Sequence, residues 1–317
     1  NGLLAPILLD YLYNDTSTPA YMMSHGQTIS FNASSESAIG DNVGLFPIAY
    51  LDFLWYEYRR SNQSNAEQVF DFSGQYATQW QVIFTTADYY ILQFPRRLSD
   101  AYGTVSRDDH GAWQNEADNN ASFVWADDNY MALTLLMRLV RMLDFCRKHV
   151  ENECLGVNVS HNISVYVRFI SEQQTGFSEH LLYPHSKYNA LYAHGYNFAS
   201  GDHSCCPWGR ANAWIMTAHT EALRMFRDLN DTQYAQQQTQ LIQWYHNQVN
   251  EVANLQDASS GRWHQIINDS STFLETSCSA GFLYGILYGR LTHTLPTNVY
   301  SMKEWDALIG NAWSGLL

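Results

Sequence analysis

Apolar positions at helical spacing run through most of this chain. From Trp125 to Val150, Ala126, Tyr130, Leu133, Met137 and Val140 share one face, while Met131, Leu135, Leu136, Leu139 and Leu143 fill much of the remaining circumference. A helix apolar over so much of its girth is buried between other helices. Ile215, Met216, Ala218, Ala222, Leu223 and Phe226 repeat the pattern, and so does the run from Phe273 to Leu291. The spacing predicts helices over 43–60, 75–95, 127–150, 209–228, 232–254, 272–291 and 303–316, with Trp-rich and Gly-rich loops between them. Strand-like alternation is confined to short pieces such as Val157 to Phe169. The class is mainly α, and repeated buried helices joined by polar loops suggest a closed ring of helical hairpins, one domain over 1–317.

The polar residues that interrupt this pattern gather where helices begin. Three segments stand out: Phe123 to Met131, Trp208 to Trp214, and Gly261 to Ile266 followed by Leu274-Glu275-Thr276-Ser277. Each places carboxylate, guanidinium, imidazole or indole groups beside an apolar run, a combination suited to gripping and protonating a sugar. Asp127 and Asp128 also suit helix capping, since a carboxylate in a first turn accepts from free N–H groups and favours the dipole. Arg210 is different, because a cation near a helix start opposes the dipole. With Trp214 one turn on, it suggests a site for a carboxylate held through a bidentate contact, set against an ordinary salt bridge. His194 lies in a loop, His264 follows a Gly-containing turn, and Glu275 suits either a site or a cap.

Composition narrows the partners. The chain carries 10 Trp and 21 Tyr, more than packing alone requires, and aromatic faces with polar edges are the usual platform for pyranose rings. A formal charge of −14 argues against nucleic acid, which needs a basic field. The apolar stretch from Ala132 to Leu143 is interrupted by Arg138 and Arg141 and is too short to span a bilayer.

Eight Asn-x-Ser/Thr acceptors, at Asn14, Asn32, Asn62, Asn120, Asn158, Asn162, Asn230 and Asn268, favour a secretory route and an extracellular location. Five cysteines fit that compartment: Cys146 and Cys154 could close a short loop, and Cys205, Cys206 and Cys278 could supply a second bridge with one thiol over. No His/Cys grouping has zinc-ligand spacing, so Cys205-Cys206 reads as structural. No signal peptide stands at Asn1, so the expected chain is mature or trimmed.

The motifs together resemble the unsaturated glucuronyl and rhamnogalacturonyl hydrolases, glycoside hydrolase families 88 and 105. The matching features are a Trp-x-Asp-x-x-Tyr-Met stretch, a His-Gly-Trp/Tyr loop, a Trp-x-Arg-x-x-x-Trp helix start, and a Trp-His-Gln turn leading to Leu-Glu-Thr-Ser, in that order between Gly111 and Gly289. The resemblance implies an (α/α)6 barrel and an oligosaccharide substrate. It also implies hydration of the C4=C5 bond of a 4,5-unsaturated uronic acid at a non-reducing end, without metal or organic cofactor. Carried over, Asp127 takes the place of the catalytic acid/base, and Asp128 that of a capping or supporting residue. Asp41, in Ile39-Gly-Asp-Asn-Val43, takes that of a second carboxylate, with Asp88 as runner-up. His194, Arg210, Trp214, Trp263, His264 and Gln265 match substrate-binding positions, Trp214 packing on the sugar ring.

Departures from the family pattern keep other readings in view. Asn197 stands where an Asp is common, Cys278 where a Gly is usual, and a glycan at Asn268 would crowd the mouth. The family also continues past the helix resembling Trp313 to Leu316, so the sequence reads as a fragment lacking its C-terminal end. One alternative is a non-catalytic extracellular structural or adhesive glycoprotein, with self-assembly, that retains the fold. Another is an ordinary glycosidase acting through two carboxylates.

Overall fold

The computed structural model describes residues 45–60, 66–88, 90–91, 123–149, 158–183, 187, 189–197 and 200–317. These fall in two compact units, Asn1–Ser106 with Met131–Ile170 and Arg107–Tyr130 with Ser171–Leu317.

The first unit is helical: α1 (Leu45–Arg60), α2 (Ala66–Phe70), α3 (Ala77–Asp88) and α5 (Leu133–His149), plus the first half of α6 (Val159–His180). Trp80 is fully buried and its Nε1 donates to the Val69 carbonyl at 2.8 Å, so the largest core side chain also satisfies its polar edge. Phe145 joins the core edge-on to Trp55 and Tyr58. Arg138, the charge that breaks the apolar face of α5, is held by both carboxylate oxygens of Asp52 at 2.8 and 2.7 Å. The expected helix over 127–150 is two: α4 (Ala126–Met131) ends in a turn at Ala132 before α5 begins.

The strand-like reading of Val157 to Phe169 is corrected: from Val159 the segment is the start of α6. Its β-branched residues mimic a strand, but the buried positions Val159, Ile163, Tyr166, Val167, Ile170, Gln174 and Phe177 recur at three and four, which is a helix stripe.

The second unit carries α7 (Gly209–Leu229), α8 (Ala235–Asn254) behind a 3-10 turn at Thr232–Tyr234, α9 (Thr276–Leu291) and α10 (Met302–Leu316). Every residue from Ala211 to Leu223 is buried, as the all-round apolar pattern of α7 requires. α7 packs on α8 and α9, and α9 on α10. Asn230 ends α7 in the left-handed region, φ 46°, with its N–H bonded to the Phe226 carbonyl. Ser301 and Glu304 form a reciprocal capping box at the start of α10.

Among the described residues five short strands sit between these helices: β1 (Phe123–Trp125), β2 (Gly195–Asn197), β3 (Asp202–His203), β4 (Trp263–His264) and β5 (Leu274–Glu275). β1, β2 and β3 form one antiparallel sheet in that order, and β4 and β5 a separate hairpin. The helix expected from residue 272 starts only at Thr276, because Leu274–Glu275 is β5 and Glu275 is the cap of α9.

Cys205 and Cys206 are joined to each other, Cys146 is disulfide-bonded, and Cys278 is a buried free thiol. Cys154 lies outside the described residues. Of the glycan acceptors, Asn158, Asn230 and Asn268 are exposed and Asn162 is half-buried, while Asn14, Asn32, Asn62 and Asn120 lie outside the described residues. Among the described residues no helix is long and apolar enough to cross a membrane.

Candidate active site

The β1–β2–β3 sheet brings Asp127 to His194. β1 and β2 pair in a register that sets Trp125 opposite Gly195, and the Ala126 N–H donates to the His194 carbonyl at 2.8 Å. Asp127 therefore stands just past the paired strand, in the first turn of α4, and His194 just before β2. Gly195 makes this register fit: a Cβ there would lie 2.8 Å from two carbons of the Trp125 ring, so only glycine leaves room for the indole.

His194 is held from three directions. Its backbone N–H donates to Ser204 Oγ at 2.9 Å, and the Gly195 N–H to the same oxygen at 3.2 Å. Its ring lies between two indoles, 4.7 Å from Trp125 and 4.8 Å from Trp208. Nε2 is 2.8 Å from Asp127 Oδ2. One proton occupies that contact, either on Nε2 facing a carboxylate or on Asp127 facing an imidazole nitrogen, a geometry through which a proton can pass. Both side chains keep solvent access, 32% exposed for His194 and 21% for Asp127, so a substrate can reach them.

Trp208 extends the wall to Arg210. It is the N-terminal cap residue of α7, and the Arg210 guanidinium lies over its ring at 4.7 Å. The Arg210 side chain is 43% exposed, and its nearest described anion is Glu275, 3.9 Å away. Burial of Glu275 opposes its ionisation, but hydrogen bonds from Ser277 and Cys278 outweigh it and hold the carboxyl below the usual range. Glu275 is thus an anion whose lone pairs are already committed to capping α9, leaving Arg210 a loose partner able to bind an incoming carboxylate.

The β4–β5 hairpin abuts the start of α7. The Gly209 N–H donates to the Gln265 carbonyl at 2.7 Å, Trp208 and Ile266 form an isolated bridge, and the Ile267 N–H donates to the Pro207 carbonyl at 3.1 Å. A Cβ on Gly209 would come within 2.8 Å of the His264 carbonyl, so this close approach needs glycine. His264 Nδ1 is 2.6 Å from the Thr272 carbonyl, which can only accept, so Nδ1 carries the proton.

Asp127, His194 and Arg210 therefore share one continuous surface with Trp125 and Trp208, and His264 and Gln265 lie half-buried in the adjoining hairpin. Two aromatic candidates sit behind that surface. Trp263 is fully buried, with Nε1 donating to the Val252 carbonyl at 2.8 Å, so it anchors the turn from within the core. Trp214, the ring expected to pack on a sugar, is 8% exposed and stacks on Tyr130 at 4.7 Å. Asp128 is buried. Asp41 lies outside the described residues, and Asp88 belongs to the first unit, where burial raises its pKa.

Two supporting residues escaped sequence reading. Ser204 is a loop serine with no local signal. Asn212 is fully buried, accepting from Tyr192 N–H at 2.8 Å and donating to the carbonyls of Tyr192 and Trp208 at 2.9 Å each. An amide in the middle of an apolar helical run was the available signal, since such a group survives there only when bonded.

Residues 74–315 match the model of Glycosyl Hydrolase Family 88. Among solved structures, a possible member of the GH105 family from Salmonella enterica superposes over 99% of this chain and 68% of its own, with TM-score 0.66 and 18% identity. A possible GH105 member from Klebsiella pneumoniae does so over 99% and 67%, with TM-score 0.67 and 17% identity. A family 105 glycoside hydrolase from C. acetobutylicum covers 99% and 75%, with TM-score 0.64 and 16% identity. At such identities the likeness shows the fold alone, an all-α toroid. No curated protein matches the chain.

Proposed function

The chain belongs to Glycosyl Hydrolase Family 88, and from that premise we propose that this glycoside hydrolase hydrates the C4=C5 bond of a 4,5-unsaturated uronic acid at the non-reducing end of an oligosaccharide. The observation that carries the reading is the Asp127–His194 contact at 2.8 Å, set between two indoles and followed on the same wall by a half-exposed arginine.

The chemistry matches that arrangement. A proton delivered to C4 leaves positive charge at C5, shared with the ring oxygen, and water then adds at C5 to give a hemiketal. The hemiketal opens to a ketone at C5, the former ring oxygen becomes the hydroxyl of a hemiacetal at C1, and collapse of that centre releases the remaining sugar. Asp127 supplies the proton and then takes one from the attacking water, while His194 fixes the carboxyl and shares its proton. Arg210 binds the uronate carboxylate through its free edge, with Trp208 holding the guanidinium plane. The half-buried rings of Trp125 and Trp208 form the apolar part of the wall.

The protein works as a secreted glycoprotein in this reading. Exposure of Asn158, Asn230 and Asn268 and the bonded states of Cys146, Cys205 and Cys206 support that compartment.

A matched pair of disaccharides, identical except for the double bond, tests the reaction type. Hydration turns over only the unsaturated member. Release of sugar from the saturated member at a comparable rate would instead identify a conventional glycosidase.

A further inference from the structure

The link from β3 to α7, Ser204 to Trp208, holds His194 at both of its ends. Ser204 Oγ accepts the His194 and Gly195 N–H groups, and the Ser204 N–H returns a bond to the Gly195 carbonyl at 2.8 Å. At the other end the Trp208 ring packs on the His194 ring and carries Arg210 over its own face. Between these anchors lie Cys205 and Cys206, joined by a disulfide between sequence neighbours. Tyr183 Oη donates to the Cys205 carbonyl at 3.3 Å, and the Pro207 carbonyl is tied to Ile267, so the link is also pinned to its surroundings.

A disulfide stabilises a fold by restricting the unfolded chain, and that effect grows with the length of the loop closed. Neighbouring cysteines close almost none, so the Cys205–Cys206 bond contributes little to global stability. Its effect is local: the small ring removes torsional freedom from two residues of a five-residue link, where each ordered residue otherwise carries an entropic cost. The residues whose positions depend on that link are Ser204 and Trp208, and both bear on His194.

We infer that the Cys205–Cys206 disulfide is a positioning element for His194 and, through it, for the Asp127–His194 pair, and that opening it with a dithiol loosens the site. Cys205 is exposed and Cys206 half-buried, so a small thiolate can attack the bond. Exchange with a dithiol reductant leaves two thiols on the protein and a cyclic disulfide in the reductant. The consequence for turnover rests on the proposed hydration; the consequence for His194 does not.

The experiment compares the wild-type chain with the double variant Cys205→Ser, Cys206→Ser. Alkylation of the native protein without reductant, followed by peptide mass measurement, first reports the bond; freely alkylated Cys205 and Cys206 overturn the inference. The pH profile of the His194 ring by NMR and the steady-state constants for an unsaturated disaccharide are then measured. The expected result is a shifted His194 profile and a fall in kcat of about tenfold with a smaller change in KM, about what a loosened proton-transfer group loses. Wild type treated with dithiol should move to the same values and recover on reoxidation, while the variant, which keeps the Cys146 bridge, should not respond. An unchanged His194 profile in the variant overturns the inference. Should the variant fail to fold, reduction of folded wild type with alkylation mapping of the opened bridge gives the same reading. A wild type inactive on every unsaturated uronide defeats the proposed reaction, while the His194 profile still decides the positioning role.

Discussion

His194 Nε2 and Asp127 Oδ2 meet at 2.8 Å although the residues lie 67 positions apart. The contact exists because β1 and β2 run antiparallel with Trp125 opposite Gly195, which delivers the two residues to the same end of the sheet. Removing the imidazole while keeping the carboxyl separates their roles. His194→Gln should lower kcat by about ten- to a hundredfold and alter the acidic limb of the pH–rate profile, since the acid keeps its place but loses its partner. Steady-state kinetics across pH checks this, and an unaltered profile would remove His194 from the proton path.

Gly195→Ala should push the Trp125 indole off the His194 ring, because the added Cβ would lie 2.8 Å from two ring carbons. Overpacking of this kind costs about 1–3 kcal/mol. Thermal unfolding should register the loss, and quenching by a soluble additive should show a more accessible indole.

Asn212→Ala removes an amide that binds the Tyr192 backbone at both its N–H and carbonyl and also holds the Trp208 carbonyl. Leaving the buried Tyr192 groups unpaired should cost about 1–3 kcal/mol. Both Trp208 and the segment leading to His194 would loosen, so denaturant unfolding should show a lower midpoint and kcat should fall with it.

His219 gives the second unit a pH limit. It is fully buried, with Nδ1 donating to Gln248 Oε1 at 3.0 Å, and burial lowers its pKa from 6.5 to about 4 despite the opposing hydrogen bond to Gln248. Between those values the unfolded chain binds the proton more readily than the folded one. Stability is therefore full above about pH 6.5 and falls by about 1.4 kcal/mol per pH unit as pH drops toward 4. Denaturant midpoints across that window should show the slope, and His219→Gln should flatten it.

The buried character of α7 was legible in its all-round apolar pattern, and Glu275 suited either a site or a cap, of which the structure shows the cap. The α6 segment misled because Val157 to Phe169 is rich in β-branched residues, and alternation over so short a piece is ambiguous with helical spacing. The five short strands were illegible for another reason: each is two or three residues long and is defined by a partner far away in sequence, which no local pattern carries. At the site, the residue types of Asp127, His194 and Arg210 marked them. Trp214 and Trp263 carried the same signal as Trp125 and Trp208, and only packing separates the two buried indoles from the two that flank His194. Ser204 and the local role of Cys205–Cys206 depend on a loop conformation that sequence spacing does not specify.

The proposed reaction turns on proton transfer from Asp127 to C4 of an unsaturated uronate. Its most direct test follows the ultraviolet absorbance of the conjugated enol carboxylate in lyase-generated unsaturated disaccharides, with wild type and with Asp127→Asn, which keeps the shape and removes the acid. Wild type should show decay, and the variant a loss of at least about a hundredfold in its rate. Decay at an undiminished rate with Asp127→Asn would contradict that proton transfer.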